Sequence, residues 1–261
     1  MLRAFSTAAT GMAGQQMTVD VIANNLANIN TTGFKRSQVD FQDLMYHQLA
    51  KAGAETVSGI LAPTGFEIGS GVRPASTTKV FTPGELENTG RDLDVAISGD
   101  GFFQITMPDG TLRYTRDGSF KLDATRRLVT SQGFLLSGGI TVPQDAVKVS
   151  VGSDGTVTAH KADGTGTNIG TINLARFPNS SGLSSEGDNL LSETEGSGAA
   201  ITGTAGRDGF GSLQQGLLER SNVQMVTELV NLIKAQRAYK INSRAIRAGD
   251  DMLNTANRLI Q

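Results

Sequence analysis

Alternating steps of three and four residues run through the last forty positions of the chain: Asn222, Met225, Leu229, Leu232, Gln236, Tyr239, Ser243, Ile246, Asp250, Leu253, Asn257 and Ile260. Such steps place all of these side chains on one line of an α-helix. One position of each heptad is apolar throughout, from Met225 through Leu232, Tyr239, Ile246 and Leu253 to Ile260, while the alternate positions are mostly polar. The apolar sector of an ordinary core helix spans roughly 100°. This line is narrower and more interrupted, so it predicts a coiled-coil seam that needs a partner.

The partner stands at the other end of the chain. Leu2, Phe5, Ala9, Met12, Gln16, Val19, Ala23 and Leu26 repeat with the same spacing, and all but Gln16 are apolar. Between Met1 and Phe34 the only charged side chains are Arg3 and Asp20. A helix with so few charges has no well-solvated outer face, so both sides should meet protein. At ~1.5 Å per residue the two helices would span about 40 Å and about 58 Å. The expected self-assembly seam is Leu2, Phe5, Ala9, Met12, Val19 and Leu26 with Met225, Leu229, Leu232, Tyr239, Ile246, Leu253 and Ile260.

Between these helices the character of the chain changes. All six prolines lie from Pro63 to Pro178, and after Gly216 the only glycine of the 32 is Gly249, so turn-rich structure is confined to the middle. Asn24 to Lys35 is an Asn-rich exit from the first helix. Asn24, Asn25 and Asn28 either end the helix or act as buried amides that fix register, and Gly33 can take a positive φ where the chain turns away. Arg36 to Lys51 is mixed in period and compatible with a short helix. Ala52 to Pro74 is small, Gly-rich and almost uncharged, which suggests an extended connector or long hairpin.

From Thr77 to Phe177 the period becomes two, as in Leu93, Val95 and Ile97. Asp-Gly recurs at Asp109-Gly110, Asp117-Gly118, Asp154-Gly155 and Asp163-Gly164 between strand-like runs, a strong hairpin signal. Asn179 to Gly211 is Ser/Gly-rich with apolar residues scattered singly, and suggests a loop-dominated return. The expected fold class is α+β, an antiparallel β-rich middle bracketed by long terminal helices that pair as a coiled coil. The expected divisions are a discontinuous helical core (1–35 and 219–261), a connector (36–76), a β domain (77–178) and a loop-rich return (179–218).

Charge and motifs argue against chemistry. A net charge of −2 gives no reason to expect nucleic acid or anionic lipid as the main partner. The basic residues Lys234, Arg237, Lys240, Arg244, Arg247 and Arg258 have a single aromatic residue among them, Tyr239, rather than an interleaved set, and read as a solvated helix face. There is no cysteine. The sequence carries no membrane-spanning stretch and no signal-peptide pattern, so direct membrane insertion and export through a cleaved signal are not expected. His47 and His160 stand apart, without zinc-ligand spacing. The Asp-Gly pairs lack the frame of a calcium loop, and Asp92 with Asp94 is a proximity too common to imply acid/base work. No catalytic residue, cofactor or metal is expected.

Three stretches carry a resemblance: ANNLANINTTGFKRS near the start, TGRDLDVAISGDGFFQI with YTRDGSFKLD in the middle, and GLLERSNVQMVTELVNLIKAQRAYKINSRAI near the end. In this order they make the chain similar to the bacterial flagellar rod and hook axial family over nearly its whole length. The resemblance implies a structural subunit of the distal rod. It implies export through the flagellar type III apparatus and stacking with copies of itself into a hollow helical tube whose inner layer is the paired terminal helices. It also implies a periplasmic location inside the P and L rings, contact with proximal rod and hook proteins, and transmission of torque to the hook. The connector matching Tyr46 to Val72 is associated with a straight, stiff tube. Lys240, Arg126 and Arg91 depart from the family's pattern, with Arg126 standing where a glycine usually shapes a turn. The competing readings are a sibling axial protein, proximal rod or hook, and a secreted β-rich adhesin or glycan-active protein.

Overall fold

The computed structural model describes residues 2–53, 55–57, 60, 61 and 63–259. The chain divides into two compact units, one of residues 1–26, 37–78 and 225–261, the other of residues 27–36 and 79–224. A β-rich middle lies between an N-terminal and a C-terminal helix.

The first unit holds helix α1 (Leu2–Ala27) and helix α2 (Met225–Leu259). Glu228 in the first turn of α2 and Arg258 in its last turn complement the helix dipole. The two helices approach closely where one of them has no side chain. A Cβ on Gly249 would lie 2.6 Å from the Phe5 ring, and one on Gly11 would lie 2.8 Å from Asn242 Nδ2. As the α1 position rises the α2 position falls, so the helices run antiparallel.

Residues 37–79, including the stretch compatible with a short helix, form a long β-hairpin instead. Strand Ser37–Asp43 pairs with Val72–Lys79, Tyr46–Ala50 with Phe66–Gly69, and Glu55–Val57 with Ile60–Leu61. Val39 and Phe41 alternate along the first strand, and pairing with the distant Val72–Lys79 outweighs weak local helix preference. Phe41 packs on the helix through Gly14, where a Cβ would come within 3.0 Å of its ring. Farther along, Met45, Tyr46, Leu49 and Phe66 are exposed.

The second unit is an antiparallel β body built on strand Phe102–Thr106, whose residues Phe102 to Ile105 are all buried. On one side it pairs with Leu112–Thr115, and on the other with Leu135–Leu136 and Asn173–Arg176, within a nine-stranded sheet. Successive side chains face opposite ways. Phe103 and Ile105 therefore enter a large core with Val95, Ile97, Phe120, Val157, Ile172 and Leu174. Phe102 enters a second core with Tyr114, Phe177, Leu183 and Leu191. Each core holds an edge-to-face ring contact, Phe103 to Phe120 at 5.0 Å in the first and Tyr114 to Phe177 at 4.7 Å between centroids in the second.

Residues 179–218 contain more strand than a loop-rich return would suggest, including Leu190–Ser192, Ile201–Thr204 and Ser212–Gln215. Their scattered apolar residues have long-range partners: Leu190, Phe210 and Leu213 complete the large core. Three of the four Asp-Gly pairs close hairpins. Asp117-Gly118 joins strands that do not pair with each other, and there Gly118 lets the backbone pass against Val95, whose N–H donates to the Gly118 carbonyl at 3.1 Å.

A recurring local device caps the turns. The carboxylates of Asp109, Asp154 and Asp163 each accept both the backbone N–H and the hydroxyl of the threonine two residues on. Asp123 does the same with Thr125 and also accepts the N–H of Arg127 at 2.9 Å. These hydrogen bonds favour the ionised forms and hold all four carboxyls below their usual range, Asp123 at about 2, chiefly through the Arg127 and then the Thr125 bonds. Arg126, inside the Asp123 turn, is left-handed at φ 61°, a conformation that disfavours any side chain.

Two outcomes are expected. Because the folded carboxyl of Asp123 binds its proton less readily than the unfolded 3.8, its contribution to stability is present above about pH 4 and is lost as the pH falls through about 2. The melting temperature of the full chain should therefore fall between these pH values, and Asp123→Ala should flatten the fall. Arg126→Gly should raise unfolding stability by about 1 kcal/mol in urea titrations, since glycine relieves the left-handed strain.

Candidate functional site

The exit from α1 is built by its asparagines. Asn25, 1% exposed, donates through Nδ2 to the Ser37 carbonyl and accepts the Ser37 N–H through Oδ1, both at 2.9 Å. One amide thus stands in for a paired strand residue and fastens the start of the hairpin to the helix. Asn28 ends the helix, accepting the Thr31 N–H on its carbonyl and the Thr31 hydroxyl on Oδ1. Asn24 is exposed at the end of the same turn. Gly33 is buried at φ 67° and donates its N–H to the Glu219 carbonyl at 2.7 Å. A Cβ there would lie 2.7 Å from the backbone of Arg116 and Asp117, so both the angle and the space demand glycine.

Around Gly33 lies a buried ionic cluster. Lys35, Arg116 and Glu219 are 3%, 6% and 2% exposed. Lys35 Nζ lies 2.5 Å from Glu219 Oε1 and also donates to the Thr82 carbonyl at 2.7 Å. Glu219 Oε1 accepts the Gly84 N–H at 2.8 Å, and its Oε2 lies 3.0 Å from Arg116 Nε in a contact that is ionic rather than a well-aimed hydrogen bond. Arg116 also donates to the carbonyls of Gly99 and Gly101. Burial pushes the Lys35 amine below its usual 10.5; Glu219 opposes this and Arg116 adds to it.

Asn222 joins the same three segments. It accepts the Arg36 N–H at 2.8 Å and donates to the carbonyls of Val80 and Thr82. The Val80 N–H in turn donates to the Arg36 carbonyl at 3.0 Å. The chain where it leaves α1, where it returns from the hairpin and where it approaches α2 is therefore one bonded knot. Apolar periodicity holds no sign of Lys35, Arg116 and Glu219, and it extends the helix line to Asn222 although α2 begins at Met225; the only signal for the four as a group is that each lies inside one of the stretches that carry the family resemblance.

On the helices, the residues turned inward form one line and those of the expected seam another. Gly14, Ile22 and Asn25 of α1 and Glu228, Ala235 and Gly249 of α2 are buried. Of the seam, Phe5, Met12, Val19, Leu26, Leu232, Ile246 and Leu253 are half-buried, whereas Ala9, Met225, Leu229 and Tyr239 are exposed. The Leu2 side chain and Ile260 lie outside the described residues. Beside these, Val226, Val230, Ile233 and Ile241 are exposed on α2 at 75%, 44%, 48% and 64%. Gln16, Val19, Gln236, Tyr239 and Lys240 line an open groove of about 330 Å³.

Residues with chemical potential are used structurally. Asp94 is buried and accepts from Thr89 and from Arg91, a partner that accounts for the arginine at that position. His160 Nε2 lies 2.9 Å from Ser150 Oγ across two strands. Among the described residues, no group of three or more acidic, histidine or cysteine side chains could hold a metal, and no helix is long and apolar enough to cross a membrane.

Comparison with known proteins gives this arrangement its context. Three family models match: the flagella basal body rod protein family over residues 5–35, the flagellar hook protein FlgE/F/G D1 domain over 96–159, and the flagellar basal body rod FlgEFG protein C-terminal family over 214–259. Together they define the class of flagellar rod and hook proteins. The flagellar basal-body rod protein FlgG of Borreliella burgdorferi is 47% identical over 99% of both chains, and that of Bacillus subtilis 40% over 97% of both. The flagellar hook protein FlgE of Escherichia coli is 27% identical. The chain belongs to the FlgG family of flagellar basal-body rod proteins.

Asn25→Ala leaves the Ser37 N–H and carbonyl without partners and should lower unfolding stability by about 2 kcal/mol in urea titrations of the full chain. Gly33→Ala should cost at least as much.

Proposed function

We propose that the chain is a structural subunit of the flagellar distal rod, polymerising with copies of itself into a stiff, hollow helical shaft that carries torque from motor to hook. The observation that carries this reading is the outer face of α2. A single chain leaves Val226, Val230, Ile233 and Ile241 exposed on one side of a 35-residue helix, and Tyr239 exposed on the other side, in the groove it shares with Gln16 and Val19. Large apolar side chains left exposed along a helix in this way mark an interaction site, and in a family of rod proteins further copies of the chain are their natural cover.

In this reading the chain ends form the helical core of the shaft and pair as coiled coils only when many copies stand side by side. The seam residues from Leu2 to Leu26 and from Met225 to Ile260, and the groove between Gln16, Val19, Gln236 and Tyr239, serve as contact positions between subunits. The exposed side chains of the hairpin supply a second, outer contact. Load is then spread over a close-packed tube of low compressibility. In this reading the subunit stands in the basal-body rod within the periplasm after type III export, with proximal rod, hook and P and L ring proteins as neighbours. Its work is mechanical rather than catalytic.

Ile233→Asp, Tyr239→Asp and Ile241→Asp alter exposed positions and should leave the monomer folded. Each should abolish rods seen by electron microscopy of the purified chain and abolish swimming when it replaces the native protein. Straight rods and normal swimming from these variants would overturn the assignment of these positions.

A further inference from the structure

The ionic cluster is unbalanced in a way that singles out one residue. Lys35 and Arg116 are two buried cations, and among the described residues Glu219 is the one carboxylate that meets both. Further donors of the two cations go to neutral carbonyls, Lys35 Nζ to that of Thr82 and Arg116 Nη1 to those of Gly99 and Gly101. The loss of Lys35 would leave a balanced Glu219–Arg116 pair. The loss of Glu219 would leave two cations buried near each other with no counter-charge, the costly case for buried ions.

The position of Glu219 in the chain adds a second asymmetry. Its carboxylate and carbonyl bind Lys35, Gly84 and Gly33, residues 184, 135 and 186 positions earlier. The segments so joined, 33–36, 80–85 and 219–222, are linked again by Asn222 and by the backbone bonds of Arg36 with Val80 and of Arg220 with Glu85. The two hydrophobic clusters draw only Phe81 from these segments, and as a half-buried neighbour rather than a buried member. The segments are thus held by polar bonds around one charge, while the β body has its own apolar cores.

We propose that Glu219 is the keystone of a clasp that docks segments 33–36, 80–85 and 219–222 on the β body, and that removing its charge releases all three together while the body stays folded. The clasp is a local cooperative unit distinct from the global fold. It closes only after residue 219 has reached the body, so the N-terminal segment 33–36 stays undocked until nearly the whole chain before α2 is in place.

Hydrogen exchange of the full-length chain, followed by mass spectrometry, tests this. In Glu219→Gln, peptides from all three segments should lose protection together by roughly tenfold or more, while peptides covering 102–106 and 172–176 change by less than about twofold. Lys35→Met, which keeps the balanced pair and the apolar stem, should stay within about threefold of the native chain in all segments. Loss confined to one segment, equal loss in the core, or an equal effect of Lys35→Met would each overturn the proposal. Should Glu219→Gln fail to fold, the double variant Lys35→Met with Glu219→Gln takes its place. The three segments are then expected to lose about threefold protection together over an unchanged core, and any other pattern overturns the proposal.

Discussion

A carboxylate at the end of the β body holds together the places where this chain changes direction. Glu219 receives the Lys35 ammonium and the Gly84 N–H on one oxygen and faces Arg116 with the other. Such a group is costly to bury and stabilises only when every partner is in place. The glycines nearby follow from the same demand. Gly33 must pass against the backbone at Arg116, and Gly84 against Arg220, to bring the charges within reach. The cluster thus ties three stretches distant in sequence to one point of the second unit.

The helical unit has the opposite character. Apart from Ile22 its interior line is small or polar, with Gly249, Ala235, Glu228 and Asn25 among the buried residues, and its other large apolar side chains are half-buried or exposed. A helix pair of this composition gains little from burial within one chain. This division fits the proposed assembly: the β body has its own apolar cores, and the helices leave apolar side chains exposed in the single chain.

The same division separates what is legible in the sequence from what is not. The long helices, the β-rich middle and the hairpin turns are legible because each is a local rule of spacing or turn chemistry repeated many times. The stretch Arg36–Lys51 is not: its mixed period is compatible with a short helix, and it becomes strand because Val72–Lys79 and Phe66–Gly69 supply pairing edges. The loop-like region 179–218 misleads for a related reason. Leu190, Phe210 and Leu213 have no periodic neighbours, and their burial depends on a core made by residues far upstream. Arg126 is visible in the sequence as a missing glycine, and its positive φ shows that the turn keeps its shape through the bonds of Asp123.

By itself the sequence determined where the long helices and most of the strands lie, and to which family the chain belongs. These follow from periodicity, composition and motif order, all of which are local or additive. Only the tertiary structure decided which helix residues turn inward and that Lys35, Arg116, Glu219 and Asn222 meet. A charged residue in a sequence carries no mark of its partner: whether it is solvated or buried depends on what the rest of the fold brings within a few ångströms of it.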